Sequence, residues 1–592
     1  MITLQNIVFP EQTICTEQDL YFHLHGLSSL RGSDNTIHMR TGDQAQFDTY
    51  FNALSIGKWH ENCTLKGLYL NLRGQGRFEL LVWHAIPDRS WEKICSEVIE
   101  LKPETPFRAD LSHYSQNATK GLIFFELRAL TRAVFAGGEF QTETKLDTWP
   151  KLAVSITTFK REEAVKSTVK RLQNFLQNFE YKENIHIFMV DNGQSVNADP
   201  ADNLTYIPND NLGGAGGFAR GLQEAESAGY SHVLFTDDDA SFPMESLYRT
   251  YTFLALAKDS RTTVAGAMIN NTTKWAMWEN GAIFDRKCMP LSSGMDLRNR
   301  DGVYHLELDS AKLDNPKLYG GWWYFAFPVK HAKYHPYPFF VRGDDVSFSI
   351  ANDFKINLLN GVLSFQDDFT EKESPLTWYL DLRSHMAHHL SLESMEVGSH
   401  QVAKIAIWFF LRNFIKFQYE TMETVLLAWE DVMRGPQFFL DNKDMAERRA
   451  QIKELVHDEL WQPVDANELE EKVSFDPNSN KFRRLLYRFG LNGHVIPFYK
   501  FWANRIIVPP QDRGNLHICW GTSQITYLNS DRTKGYTTRL NRLRGLRLLF
   551  RAARYYVKFR MMYPSLRKEY RDSYPEIASK GYWQDVYKGK KT

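Results

Sequence analysis

Cysteine is scarce here, and the five present do not look paired. Cys15, Cys63, Cys95, Cys288 and Cys519 are odd in number and scattered, which argues against a disulfide framework and fits a reducing compartment. No run of 18 uncharged apolar residues occurs, so no segment is expected to span a bilayer. The start, MITLQNIVFPEQTIC, lacks a basic stretch ahead of an apolar core; no signal peptide is expected, and the cytoplasm is the default. Neither sign of charge is in excess, with 71 Lys and Arg against 71 Asp and Glu, so there is no global attraction to nucleic acid. Internal repeats and low-complexity segments are also missing. What is abundant is apolar and aromatic content, 43% and 14% of 592 residues. That composition is globular, and the length calls for roughly two to four domains.

Residues 1–148 read as an N-terminal β-sandwich. The stretch LYLNLRGQGRFELLVWHA (68–85) alternates around Gly74-Gln75-Gly76 as a hairpin does, and GLIFFELRAL (121–130) is a further strand. Trp59, Trp83 and Trp91 read as packing residues, although a carbohydrate-binding sandwich has the same look. After the linker ETKLDTWP (143–150), strands and helices alternate, which predicts a parallel sheet with its chemistry at the carboxyl ends over residues 149–390. Gly213 to Gly217 partly match a dinucleotide-binding loop. They follow the third strand of this region rather than the first, so a tight turn explains them as well.

The region centres on SHVLFTDDDASF (231–242), a short apolar strand ending in Asp237, Asp238 and Asp239. In extended chain, residues i and i+2 share a side, so Asp237 and Asp239 can reach one hard cation, Mg2+ or Mn2+, with Asp238 facing elsewhere. An acidic turn capping the next helix is the plainer alternative. Thr157, Thr158 and Arg161, then Asp191 and Asn192, then Asn211, end neighbouring strands. Further on, Trp322 and Trp323 follow a glycine pair and suit either a core or a sugar-stacking face. Asp344 and Asp345 precede a helix; one serves as a cap and the other is a candidate general base.

The order TTFKR, VDNG, NLGGAGGF, TDDDA, GGWW and RGDD resembles the family 2 inverting glycosyltransferases of GT-A fold, and within them the polymerising galactofuranosyltransferases of mycobacterial galactan synthesis. The resemblance extends to DTYFNAL (48–54) and YPSLRKEYRDSYPEIASKGYW (563–583). It implies a multidomain α+β protein: β-sandwich, central Rossmann-like α/β GT-A domain and, over 391–592, a mostly helical domain. It implies that Thr158, Arg161, Asp191, Asn192, Asn211, Asp237 and Asp238 bind a UDP-sugar donor, UDP-galactofuranose by preference. Asp237 and Asp239 would hold Mn2+ or Mg2+, Asp345 would be the catalytic base, and Trp322, Trp323 and Asp344 would line the acceptor side.

One departure stands out. The family places a metal-binding His after the DD helix, whereas this chain reads GVLSFQDDFTEKE (361–373); Gln366, Asp367 or His385 would have to supply the third ligand. Towards the C-terminus, VAKIAIWFFLRNFIKF (402–417) suits either a core helix or one lying on a membrane. The segment 537–560 is rich in arginine and reads as helical, with a basic face suited to anionic lipid. The implied partners are a polyprenyl-diphosphate-linked glycan acceptor and peripheral contact with the inner face of the cell membrane, with no nucleic acid. A homo-oligomer is hinted. The rival readings are the same fold with another nucleotide-sugar, and a non-catalytic glycan-binding protein.

Overall fold

The protein is described from a computed structural model that covers all residues except 87–88, 116–117, 240, 368–372, 466–468, 470, 475, 477–480 and 590–592. Ala240 of the TDDDA motif and most of the DDFTEKE stretch therefore lie outside the described residues. The chain forms two compact units, one of Met1–Asn211, Gly217–His335 and Phe348–Asp367, the other of Leu212–Gly216, Pro336–Ser347 and Asp368–Thr592.

The first unit opens with ten hydrogen-bonded strands. Their backbone is β1 (Tyr69–Ala85), with β2 (Glu92–Leu101), β3 (Leu122–Ala129) and β4 (Ala133–Thr142) around it. The expected hairpin at Gly74-Gln75-Gly76 does not form. Instead β1 runs unbroken for 17 residues. Its first half pairs with β4 and its second with β2 and β3. The glycines serve close approach, not a turn: a Cβ on Gly74 would lie 2.3 Å from the Val134 carbonyl oxygen, and one on Gly76 2.7 Å from Ala133 Cβ. Trp59 is buried against Phe253, and Trp91 packs edge-on against Phe124 and Tyr304, so both are packing residues.

The central sheet is built from β5 (Leu152–Thr158), α1 (Glu162–Gln177), β6 (Ile185–Asp191), β7 (Leu204–Pro208), α2 (Gly213–Ser227), β8 (His232–Asp237), β9 (Thr262–Ala265), β11 (Phe325–Pro328) and β12 (Lys355–Asn357). Beside it, β10 (Ala267–Asn270) pairs in parallel with β13 (Leu363–Gln366). The sheet order is β7-β6-β5-β8-β11-β9-β12, with β5, β6, β7 and β8 mutually parallel. Strands buried on both faces carry near-continuous apolar runs, as LAVSI in β5 does. On α1, Val165, Val169, Leu172 and Leu176 recur at helical spacing and are buried. From β5 the chain first steps outward to β6 and β7, then returns to the other side of β5 as β8. That reversal opens a crevice beyond the carboxyl ends of β5 and β8, the usual ligand position in such sheets.

In the second unit, the short helix α3 (Asp344–Ala351) begins at the DD pair, its later residues being counted with the first unit. Then follow α4 (Pro375–Ser391), α5 (Ser399–Ile415) and α6 (Tyr419–Val432). Val402, Ile405, Ala406, Phe409, Phe410 and Phe414 are buried, which makes α5 a core helix. The helices are not alone: β14 (Gln462–Pro463), β15 (Asn504–Val508), β16 (Thr522–Leu528) and β17 (Lys534–Arg539) form a sheet in the order β14-β17-β16-β15. The arginine-rich segment therefore starts as strand, not helix. Thr537 and Tyr536 face Thr526 and Tyr527 across the ladder, and only after Asn541, whose side chain accepts from Arg544 N, does α7 (Arg542–Ile577) begin. The last helix, α8 (Lys580–Tyr587), is tied down by Trp583 Nε1 donating to the Pro336 carbonyl and Tyr587 OH to that of Gly216. Among the described residues no helix is long and apolar enough to cross a membrane.

Candidate active site

In the register of the central sheet Thr157 lies beside Asp237, so the carboxyl ends of β5 and β8 finish level and their following loops meet. Thr158 Oγ1 donates to Asp238 Oδ2 at 2.6 Å. Arg161, at the entrance to α1, donates from one nitrogen to Asp238 Oδ1 at 3.1 Å and Asp239 Oδ2 at 2.5 Å. From within α1, Thr168 Oγ1 holds the Asp238 carbonyl at 3.1 Å. Asp238 is thus buried against Thr158 and shares the Arg161 nitrogen with Asp239. Burial raises its pKa, against the opposing pull of the Thr158 hydrogen bond and the Arg161 charge. Burial works against the Arg161 charge too, but Asp239, Asp238 and Asp237 hold its pKa above the ordinary value. Asp237 takes a different partner, with Gln366 Nε2 donating to its Oδ2 at 3.3 Å.

Asp191 is fully buried and closes a loop. Its carboxylate accepts from the backbone N–H groups of Gly193, Ser195 and Val196 at 2.7–2.8 Å and from Tyr206 OH at 3.2 Å. Its role is to shape the turn that presents Asn192. Asn192 N–H donates to the Thr158 carbonyl, and its Oδ1 accepts from Asn209 Nδ2 at 2.9 Å. Asn209, buried and two residues before the half-buried Asn211, was missed by the sequence reading; its sequence signal was its place in the PNDN run closing β7. Gly217 completes this corner, because a Cβ there would lie 2.2 Å from Thr157 Cγ2 and 3.1 Å from Asn192 Nδ2.

Trp322 and Trp323 are 5% and 7% exposed. Trp322 sits in the aromatic core with its ring edge-on to Phe218, Phe235 and Phe348. Trp323 Nε1 donates to the Gly266 carbonyl at 2.9 Å, and its own carbonyl accepts from Thr236 Oγ1 at 3.0 Å. The pair therefore braces the residue before Asp237, and neither ring is an open stacking platform.

In the second unit the chain reaches the DD pair through strained backbone: Phe340, Arg342 and Gly343 have φ of 69°, 72° and 89°. Non-glycine residues in that region cost about 1–3 kcal/mol each and gather at functional sites. Ala215 N–H donates to the Phe340 carbonyl, and a Cβ on Gly214 would stand 3.3 Å from Asp344 Oδ2. Asp344 is buried and Asp345 half-buried. Desolvation raises the Asp345 pKa to about 6, opposed by the Val346 N–H donating at 2.8 Å and by Arg342, and assisted by Asp381. Arg342 itself lies 3.5 Å from Asp381.

Asp237 and Asp239 carry hard carboxylate oxygens of the kind that suits Mg2+ or Mn2+, and the Gln366 amide N–H lies against Asp237. Among the described residues no group of three or more His, Cys, Asp and Glu gathers as a metal site. Asp367 instead accepts from Asn271 at 3.2 Å. His385 is buried within α4, edge-on to Phe409, its pKa pushed down to about 4 by desolvation.

Residues 153–291 match the sequence model of glycosyl transferase family 2, a stretch that holds β5 to β8 and the three aspartates. More particularly, the chain resembles two curated galactofuranosyltransferases. It is 22% identical over 594 residues to galactofuranosyltransferase GlfT2 of Mycolicibacterium smegmatis, across 92% of this chain and 88% of that one. It is 21% identical over 600 residues to GlfT2 of Mycobacterium tuberculosis, across 93% and 91%. A solved structure, the mannosyltransferase PcManGT from Pyrobaculum calidifontis in complex with GDP-Man and Mn2+, is similar at 13% identity over 53% of this chain and 88% of that one, with a TM-score of 0.29.

Proposed function

We propose that the protein transfers galactofuranose from UDP-galactofuranose, with inversion, onto a lipid-linked growing glycan, working as a peripheral enzyme at the inner face of the cell membrane. The observation that carries the reading is the joined set of Thr158, Arg161 and the three aspartates at the ends of β5 and β8, where the strand order reverses. The choice of sugar is supported by the two galactofuranosyltransferases to which the chain is similar over most of its length.

Arg161 and Asn211 receive the uridine diphosphate end, on a floor held by Asp191, Asn192 and Asp238. Asp237, Asp239 and Gln366 would hold Mn2+ or Mg2+, which offsets negative charge on a departing diphosphate. Arg161 now compensates Asp239; a cation held there would take over that role and leave the guanidinium to the diphosphate. Asp345 takes the proton of the acceptor hydroxyl; a carboxylate with a pKa near 6 is a better base than an ordinary one and is still ionised at neutral pH. Asp344 serves the acceptor; Trp322 and Trp323 hold their own loop rather than offering a bare face.

The test is UDP release from a panel of UDP-sugars with Mn2+ or Mg2+, with and without a galactose-terminated lipid-like acceptor. Acceptor-dependent release confined to UDP-galactofuranose is expected. Release from a UDP-pyranose alone would discard the sugar, and oligosaccharide binding without release from any donor would favour a glycan-binding protein.

A further inference from the structure

The first unit holds an open concavity of about 580 Å³ beside its N-terminal strands, sharing no residue with the active site. It lies where the short turn of helix Gln18–Leu20 and the strand His23–His25 meet the start of the helix Arg300–Ala311. Under it runs a fixed network. Asp48 is fully buried, accepts from His23 Nδ1 at 2.9 Å and pairs with Arg300. Gln46, opposite His23 in the strand ladder, accepts from Arg300 at 3.1 Å and from His25 Nε2 at 3.2 Å. A histidine whose Nδ1 is taken by a buried carboxylate has its ring orientation set, so His23 keeps Nε2 for the cavity it lines.

The wall selects against most classes of ligand. Leu24 is its one apolar side chain among the described residues, so an acyl chain or a nucleobase would bury little there. Arg298 is already bidentate on Asp296, at 2.8 and 3.0 Å, and Arg300 is spent on Asp48 and Gln46. A phosphate would therefore meet no unspent guanidinium, while Asp19 and Asp301 would repel it. No group of three or more His, Cys, Asp and Glu gathers as a metal site among the described residues. What the wall leaves uncommitted is hydrogen bonding for a neutral ligand. The half-buried Gln18 amide and Asp19 carboxylate, and the exposed Asp301 carboxylate, make no hydrogen bond or ion pair among the described residues. Amide and carboxylate groups can each engage two neighbouring hydroxyls, and a ring nitrogen a third.

We infer that this concavity is a second, non-catalytic site for a neutral saccharide chain, whose hydroxyls bond Gln18, Asp19, Asp301 and His23 Nε2. The Trp91 ring below is covered by Arg300 at 5.3 Å, so recognition there is by hydrogen bonds rather than stacking. That suits a furanose ring with its exocyclic diol better than the flat apolar face of a pyranose. Only the choice of galactofuranose rests on the proposed function; the site itself does not. A chain long enough to reach the ends of β5 and β8 as well would have its tip held there at raised effective concentration.

Calorimetric titration of the full chain, without donor, checks this with a short galactofuranose oligomer, a galactopyranose oligomer of the same length and inorganic phosphate. Binding of the furanose oligomer is expected, weakened at least about tenfold in Gln18→Ala/Asp19→Ala, which removes two hydrogen-bonding groups. Asp301→Trp, which puts bulk at the mouth, should weaken it comparably. Melting temperature and UDP affinity should stay at wild-type values in both variants. Binding of the pyranose oligomer instead, lost in the same variants, would support the site and count against the proposed sugar. The inference is overturned if neither oligomer binds, or if both variants bind as the wild type does. It is also overturned if phosphate is the tighter ligand and is lost in Arg298→Ala. None of these failures bears on UDP release from the donor panel, which reads the active site alone.

Discussion

At the scale of single residues, Asp345 has the sharpest chemistry. Because desolvation raises its pKa to about 6, the proposed base is neutralised below that pH. The rate should therefore rise through an acid limb centred near pH 6, and Asp345→Asn should abolish transfer while leaving UDP binding, read by calorimetry, nearly intact. Unchanged turnover in that variant would remove Asp345 from the mechanism. Linkage gives a second reading: the folded state takes up a proton between the ordinary carboxylate range and pH 6, so Asp345 costs stability as pH rises through that window. Asp345→Asn should then be no less stable than the wild type above pH 6 in thermal melts. Arg161→Ala leaves Asp238 and Asp239 without their cation and should weaken UDP binding about 10- to 100-fold, as loss of a charged phosphate contact of 1.5–3 kcal/mol does. Replacing Asp237 and Asp239 together by Ala should remove metal dependence along with activity; metal-dependent turnover surviving in that variant would show that the cation is held elsewhere.

At the scale of elements, the corner where α2 crosses β5 and β6 depends on a missing side chain. Gly217→Ala would drive a methyl to 2.2 Å from Thr157 Cγ2, a contact relieved only if strand or helix shifts. Overpacking of this kind costs about 1–3 kcal/mol. A lower melting temperature with a disproportionate loss of donor affinity is expected, since the same methyl crowds Asn192. Unaltered melting and affinity would mean that the corner yields freely. Glycines 213 to 217 thus serve packing and turning at the head of α2, and the first strand-to-helix turn, from Thr158 to Arg161, carries none.

At the scale of the whole molecule, each unit has its own core, so unfolding need not be a single two-state event. Within the second unit, buried Asp431 accepts from Tyr379 OH at 2.6 Å and from Arg448 at 2.5 Å. Burial raises its pKa against both hydrogen bonds and the Arg448 charge. Removing one partner of a buried pair strands the other, at about 3–5 kcal/mol. Asp431→Ala should lower a calorimetric transition by several degrees, and a variant melting like the wild type would show that the pair is dispensable.

Much of the strand-and-helix layout was legible in the chain itself. Strand and helix periods differ, so alternation of apolar runs with amphipathic stretches announced the parallel sheet, and carboxylates ending an apolar strand can only sit at its rim. That logic put Thr158, Arg161 and Asp237 to Asp239 at neighbouring strand ends, where the fold joins Thr158 and Arg161 to Asp238. Which partner each side chain took was a tertiary matter, because it depends on what other segments bring alongside. Asp191 spends its oxygens on its own loop, Trp322 is covered by Phe218 and Phe348, and Gln366 reaches Asp237 from a strand 129 residues on. Likewise, whether Gly74-Gln75-Gly76 turns or runs straight is decided by β4 lying against it. The outward face of α7 also needed the fold: its arginines were plain in the sequence, but only packing separates buried Phe559 from exposed Phe550. Local pattern fixes period and composition, whereas neighbours distant in sequence fix burial and partnership.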